Sequence, residues 1–284
     1  MSKIKKEMIA AAIIFAIAIG ISIPSYLKDN REYREYMERE EMSSKDWITT
    51  LPEAQGMDSE KLKLADEFMQ QTDALSLLVV RHEKIVFEKY YNNSSAGDYN
   101  NIFSVTKSFV SALVGIAIDK GYIKSIHEKI SDYFPEYEPQ MKDSQKKDIT
   151  IRHLLTMTPG FLEDFNGWVT SDNWVSHTFD LPLRYAPGER FQYANSASHL
   201  LSVILTRATG MKTADFAEKY LFIPLEIKDK KWLTDPQGLH AGYANLFLRP
   251  RDMARFGQLY LDDGVRKGKR ILPEAWVKES TRKQ

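Results

Sequence analysis

Asn101-Ile-Phe-Ser104-Val-Thr-Lys107-Ser-Phe109-Val110-Ser-Ala-Leu113-Val-Gly-Ile116-Ala117-Ile-Asp-Lys120-Gly121 is the stretch on which the reading of the chain turns. Val105, Phe109, Val110, Leu113, Ile116 and Ala117 recur at the three- and four-residue intervals of a helix with a buried face, and Lys120 with Gly121 closes it. Ser104 stands where that helix begins and Lys107 follows one turn on, so the two side chains share a face. A serine hydroxyl attacks a carbonyl only when a neighbour takes its proton. A lysine serves only if it is neutral part of the time; burial and the positive end of the helix dipole both disfavour its ammonium. The same residues equally fit a serine helix cap followed by an exposed lysine. The bare S-x-x-K pattern does not separate the two, because it also occurs at Ser2/Lys5, Ser25/Lys28, Ser144/Lys147 and Ser280/Lys283.

Context separates Ser104 from those copies. Upstream, Asp58 is placed to cap a helix running to about Gln71. Leu75 to Val80 and Ile85 to Tyr91, with Arg81 to Lys84 between them, predict a β-hairpin, and the polar stretch Asn92 to Asn101 is turn-rich. Ser104 alone of the five serines lies between a hairpin and the start of a strongly apolar helix, the setting of the S-x-x-K serine enzymes. Downstream, Tyr185-Ala-Pro-Gly-Glu-Arg-Phe-Gln192 leads into Tyr193-Ala-Asn195, and a helix is expected from about Ser196 to Thr209, ended by Gly210. Read by themselves, Tyr193 fits a buried aromatic and Asn195 a helix N-cap. Tyr-x-Asn also recurs from Tyr90, Tyr91, Tyr99 and Tyr243, so Pro187, Gly188 and Phe191 carry the specificity of this copy.

The Tyr185 to Asn195 run resembles the P-G-x-x-F-x-Y-S-N segment of the β-lactamase-related serine hydrolases, which include class C β-lactamases, D-Ala-D-Ala carboxypeptidases and family VIII esterases. Ile151-Arg-His-Leu-Leu-Thr-Met-Thr-Pro-Gly160 is similar to that family's R-H-L-L-T-x-T-S-G signature, with Pro159 where serine is usual. Phe222-Ile-Pro-Leu225 and Asp252-Met-Ala-Arg-Phe-Gly-Gln-Leu-Tyr260 look like further family segments in the family's order. The resemblance implies an α+β fold of the β-lactamase and penicillin-binding-protein type, an antiparallel sheet flanked by helices beside an all-helical region, over residues 47–284. It implies that Ser104 attacks an ester, amide or β-lactam carbonyl, that Lys107 and Tyr193 share the proton transfer, that Asn195 positions the acyl group or the lysine, and that water releases the acyl-enzyme. Phe161, Phe165, Trp168, Trp174 and Phe179 crowd the loop between the two motifs. Related enzymes build a wall of the acyl pocket there, so the resemblance makes Trp168 and Trp174 candidate substrate-binding residues, although such aromatic clusters more often are core. His153 lies within the signature and is read as structural.

The family's third motif, K-T-G or H-x-G, is absent up to Gln284. Its strand supplies one oxyanion-hole N–H, and losing one such donor costs roughly 2.7 to 4 kcal/mol of transition-state stabilisation. The expectation is a sheet lacking its C-terminal strands. Either this is a truncated, catalytically impaired copy that binds a cell-wall peptide or a protein partner, or the remaining strands come from a separate piece.

The N-terminus reads differently. Lys3, Lys5 and Lys6 precede an apolar run from Met8 to Ile23, so residues 1–27 are expected to be a membrane anchor, with a cleaved signal segment as the alternative. Lysines ahead of the run place the N-terminus in the cytoplasm and the rest outside the membrane, as a single-pass protein. Residues 28–46, rich in alternating charge, read as a linker. With 39 basic and 39 acidic residues no net field draws the chain to nucleic acid, and with no cysteine there is neither a disulfide nor a thiolate nucleophile. The six histidines show no metal-ligand spacing, so neither a metal nor another cofactor is expected.

Overall fold

A computed structural model of the chain describes residues 47–141 and 145–283. The expected anchor (1–27) and charged linker (28–46) lie outside the described residues. Among the described residues no helix is long and apolar enough to cross a membrane. Packing divides the chain into a unit ending at Gly97 and a unit beginning at Asp98.

In the first unit the order is β1 (Ile48–Thr49), α1 (Ser59–Met69), β2 (Ser76–Arg81) and β3 (Lys84–Tyr90). Asp58 caps α1 as its sequence position predicts, its carboxylate accepting from the backbone N–H groups of Glu60 and Lys61. β2 and β3 form the expected hairpin, and β1 joins β3 in parallel, giving the strand order β1-β3-β2. His82 and Glu83 turn the hairpin with φ of 47° and 59°, the pair of left-handed residues that a two-residue turn matched to strand twist demands. The phenol of Tyr91 donates to Asp66 at 2.8 Å, tying the strand's end to α1.

The second unit begins with β4 (Asn100–Asn101) and α2 (Thr106–Asp119), followed by α3 (Ile151–Leu155), α4 (Phe165–Thr170), α5 (Trp174–Asp180), α6 (Asn195–Thr209) and α7 (Thr213–Ala217). Then come β5 (Lys231–Trp232), β6 (Leu246–Leu248), α8 (Pro250–Leu261), the short hairpin β7 (Val265–Arg266) and β8 (Lys269–Arg270), and α9 (Glu274–Thr281). α2 and α6 pack together at the centre. Phe109, Val110, Leu113 and Ile116 of α2 and Leu200, Val203 and Ile204 of α6 are almost fully buried in one core that also takes in Phe222 and Leu259. Phe109 stacks on Phe256 of α8 with ring centroids 3.8 Å apart. Beyond the helices and loops expected here, β4 and β5 flank β6 in a small antiparallel sheet. Two-residue strands such as Asn100–Asn101 lack both the length and the β-branched character by which a strand is read from sequence. Gly121 and Gly210 end α2 and α6 with φ of 76° and 68°.

Candidate active site

Ser104 lies in a single 3-10 turn, Phe103–Val105, that feeds α2. α2 has no side-chain cap, so the hydroxyl is not spent on the helix. Instead its oxygen accepts from Lys107 Nζ at 3.1 Å and from the Tyr193 phenol at 2.9 Å. Lys107 is half-buried rather than exposed. Its other two donors go to Asn195 Oδ1 at 2.9 Å and to the carbonyl oxygen of Tyr243 at 2.8 Å. The three groups that the spacing and the resemblance single out therefore meet around one oxygen, and Asn195 holds the lysine.

Tyr193 and Asn195 reach this point because the 151–160 signature builds their support. α3 opens with a reciprocal cap: Thr150 Oγ1 accepts from the His153 N–H while His153 Nδ1 accepts from the Thr150 N–H, the structural role expected of that histidine. After α3, Thr158 O accepts from the Gly188 N–H at 2.8 Å and Met157 O from the Gln192 N–H at 2.8 Å, so the segment ahead of Tyr193 is laced to the signature. Gly160 allows the closest approach: at φ 82° a Cβ would stand 2.0 Å from the Tyr185 carbonyl oxygen.

Asn195 is the first residue of α6, not its cap. Capping falls to Glu163, a residue that sequence reading missed. Its carboxylate accepts from the Asn195 N–H at 2.8 Å, the Ser196 N–H at 3.4 Å and the Ser196 hydroxyl at 2.8 Å. A carboxylate thus satisfies the N–H groups that have no partner within the helix at its start, and the Asn195 amide is left for Lys107.

Burial pushes the Lys107 ammonium below the ordinary lysine range, against the opposing pull of Tyr193 and of the Glu163 charge. For Tyr193 burial acts upward, but hydrogen bonding to Lys107 and Ser104 and the charge of Lys107 outweigh it and draw the phenol down. Both candidate proton carriers are thereby moved toward their deprotonated forms, the amine and the phenolate, the direction that base catalysis at Ser104 requires.

Trp168 and Trp174 lie behind this arrangement. They are 2% and 5% exposed, and the Trp168 indole donates to the Trp174 carbonyl at 2.9 Å, so they present almost no surface to a ligand. Their rings stand 5.1 Å and 5.7 Å from Tyr243 and pack against the buried His199. His199 Nε2 is 3.1 Å from Asp235 Oδ2 and its Nδ1 accepts from the Gly242 N–H at 3.5 Å. The pair of tryptophans therefore backs the segment that carries Tyr243, while the more exposed Phe165 packs edge-on against Tyr243 at 6.0 Å. A groove of about 510 Å³ opens beside Lys107, along Ser108 and Ser111 of α2 and facing Phe256 and Tyr260 of α8. Among the described residues no group of three or more His, Asp or Glu side chains is placed to hold a metal ion.

A family model described as "Beta-lactamase" matches residues 62–284. The 6-aminohexanoate-dimer hydrolase of Paenarthrobacter ureafaciens is 26% identical over 232 residues, which cover 75% of this chain and 58% of the relative. A β-lactamase of Escherichia coli strain K12 is 30% identical over 148 residues, 50% of this chain and 36% of the relative. The octameric penicillin-binding protein homologue of Pyrococcus abyssi superposes with a TM-score of 0.61 at 18% identity, over 78% of this chain and 59% of that one, a likeness of fold. The chain spans about three fifths or less of the length of these relatives.

Proposed function

This chain belongs to the beta-lactamase family, and from that premise we propose that it is a serine hydrolase whose Ser104 forms an acyl-enzyme with an ester, amide or β-lactam substrate. One observation carries the proposal: a serine oxygen accepts at once from a half-buried lysine and from a phenol that arrives from a distant segment. A structural serine has no need of two such partners. In the first step a neutral Lys107, or an ionised Tyr193, takes the hydroxyl proton as Ser104 Oγ bonds to the carbonyl carbon. The same proton goes on to the leaving amine or alkoxide as the C–N or C–O bond breaks. Water then adds to the acyl carbon and gives a proton to the same base; the bond between the acyl carbon and Ser104 Oγ breaks, that proton passes to Oγ, and the carboxylic acid leaves. Asn195 Oδ1 and the Tyr243 carbonyl keep the lysine aimed throughout. The substrate is a small molecule or peptide bearing an acyl group, reached without nucleic acid or cofactor.

The basic N-terminus and the apolar run from Met8 to Ile23 support placement of the hydrolase outside the cytoplasmic membrane, tethered by that segment. A fluorophosphonate probe tests the catalytic reading. The expected result is that it labels the folded protein and that peptide mapping finds the label on Ser104. Absence of labelling, or equal labelling of Ser104→Ala, defeats the reading.

A further inference from the structure

Tyr243-Ala-Asn245 repeats the tripeptide Tyr193-Ala-Asn195, and Lys107 is held between the two copies. The first offers its asparagine side chain to Nζ at 2.9 Å and the second a backbone carbonyl at 2.8 Å, while the two tyrosine rings stand 4.9 Å and 5.7 Å from the same nitrogen. The second copy's asparagine points elsewhere. Asn245 Oδ1 accepts from Asn101 Nδ2 at 3.2 Å, and Asn101 Oδ1 accepts in turn from the Phe103 N–H at 2.8 Å, one residue before the nucleophile.

We infer that Asn245, bridged to Asn101, is a positioning residue that locks the Tyr243 carbonyl and the Ser104 turn into one register, so that Lys107 is aimed at Ser104. The inference rests on Ser104 being the nucleophile. Unusual backbone lies on both sides of the bridge: Phe103, whose N–H Asn101 accepts, has φ 45°, and Asn245 has φ 67°. Asparagine tolerates the left-handed region, but a bulky aromatic residue persists there only when its surroundings impose it. The surroundings are identifiable. The Ile102 N–H donates to Leu246 O at 2.9 Å, and the Leu246 N–H donates to the buried hydroxyl of Thr106 at 3.4 Å. With the Asn101–Asn245 amide bond and the Lys107–Tyr243 bond, the residues from 101 to 107 are stitched four times to those from 243 to 246. The Ile102–Leu246 backbone bond and the Leu246–Thr106 hydroxyl bond hold the two segments together whatever residue 245 carries. The amide bridge is the link that connects the carbonyl gripping the lysine to the turn presenting the serine.

Two variants test this against a merely structural role. Asn245→Gly keeps a residue suited to left-handed backbone and removes the bridge; Asn245→Asp keeps both the backbone preference and the acceptor oxygen. For fluorophosphonate labelling of Ser104, Asn245→Gly is expected to lower the rate about tenfold to a hundredfold. It also flattens the rise in rate with pH, because a lysine no longer aimed at the hydroxyl stops governing it. Asn245→Asp restores most of the rate and the pH dependence. A wild-type rate and pH profile in Asn245→Gly, or a loss in Asn245→Asp equal to that of the glycine variant, overturns the inference while Ser104 labelling stands. A wild-type protein that does not label overturns the hydrolase reading itself, and this inference with it.

Discussion

At the scale of single residues the chemistry reduces to where one proton rests. Lys107 donates to three acceptors, which together match the three hydrogens of an ammonium, yet burial drives it toward the neutral amine. Its lowered proton affinity fixes the sign of the pH dependence. If Ser104 is the nucleophile, its labelling is expected to rise with pH as Lys107 loses its proton, with the rise centred below the ordinary lysine value of about 10.4. Lys107→Arg keeps the positive charge and the donors, but a guanidinium does not give up its proton in this range. Its labelling rate is expected to fall by about 10² or more, a drop read directly by gel fluorescence. A rate close to wild type would show that lysine is not the base.

At the scale of elements, the start of α6 decides whether Asn195 is free to act. Sequence placed an asparagine where helix caps commonly stand, and a cap is the reading local rules favour. The structure brings Glu163 to those N–H groups from 32 residues upstream, and no local rule links the two positions. The charge of Glu163 also supports the Lys107 ammonium. Glu163→Gln removes that support, so the pH limb of Ser104 labelling moves to lower pH. The lost charge at the helix start lowers stability by about 0.3 to 1 kcal/mol, measured by denaturant unfolding. A limb that stays put, or moves up, contradicts the assigned role. The hairpin, α1, α2 and α6 were legible because period and caps are local signals. Tyr243 was not, since its part is played by a backbone carbonyl, and its one visible sign was the repeated tripeptide. The tryptophan pair was legible as aromatic mass, but mass does not tell a wall that faces a ligand from one that stands behind it.

At the scale of the whole molecule, the segments that resemble the family prove to be scaffold as much as site. Asp252, in the stretch read as a family segment, is fully buried between Arg249 and Arg255; its carboxylate takes Arg249 Nε at 2.7 Å and also bonds Arg255. Removing one member of a buried ion cluster leaves uncompensated charge, so Asp252→Ala is expected to cost about 3 to 5 kcal/mol in denaturant unfolding. A cost under about 1 kcal/mol would mean the cluster is not holding α8. The proposed tether predicts that the full chain sediments with membranes and is digested by protease added outside intact cells; recovery in the soluble cytosolic fraction counts against it. The most direct test of the serine chemistry is to mix the protein with a p-nitrophenyl ester, quench in acid, and map the adduct by mass spectrometry. An acyl group on the peptide containing Ser104, absent in Ser104→Ala, is the predicted result; hydrolysis with no adduct there, or an adduct that persists in Ser104→Ala, would contradict it.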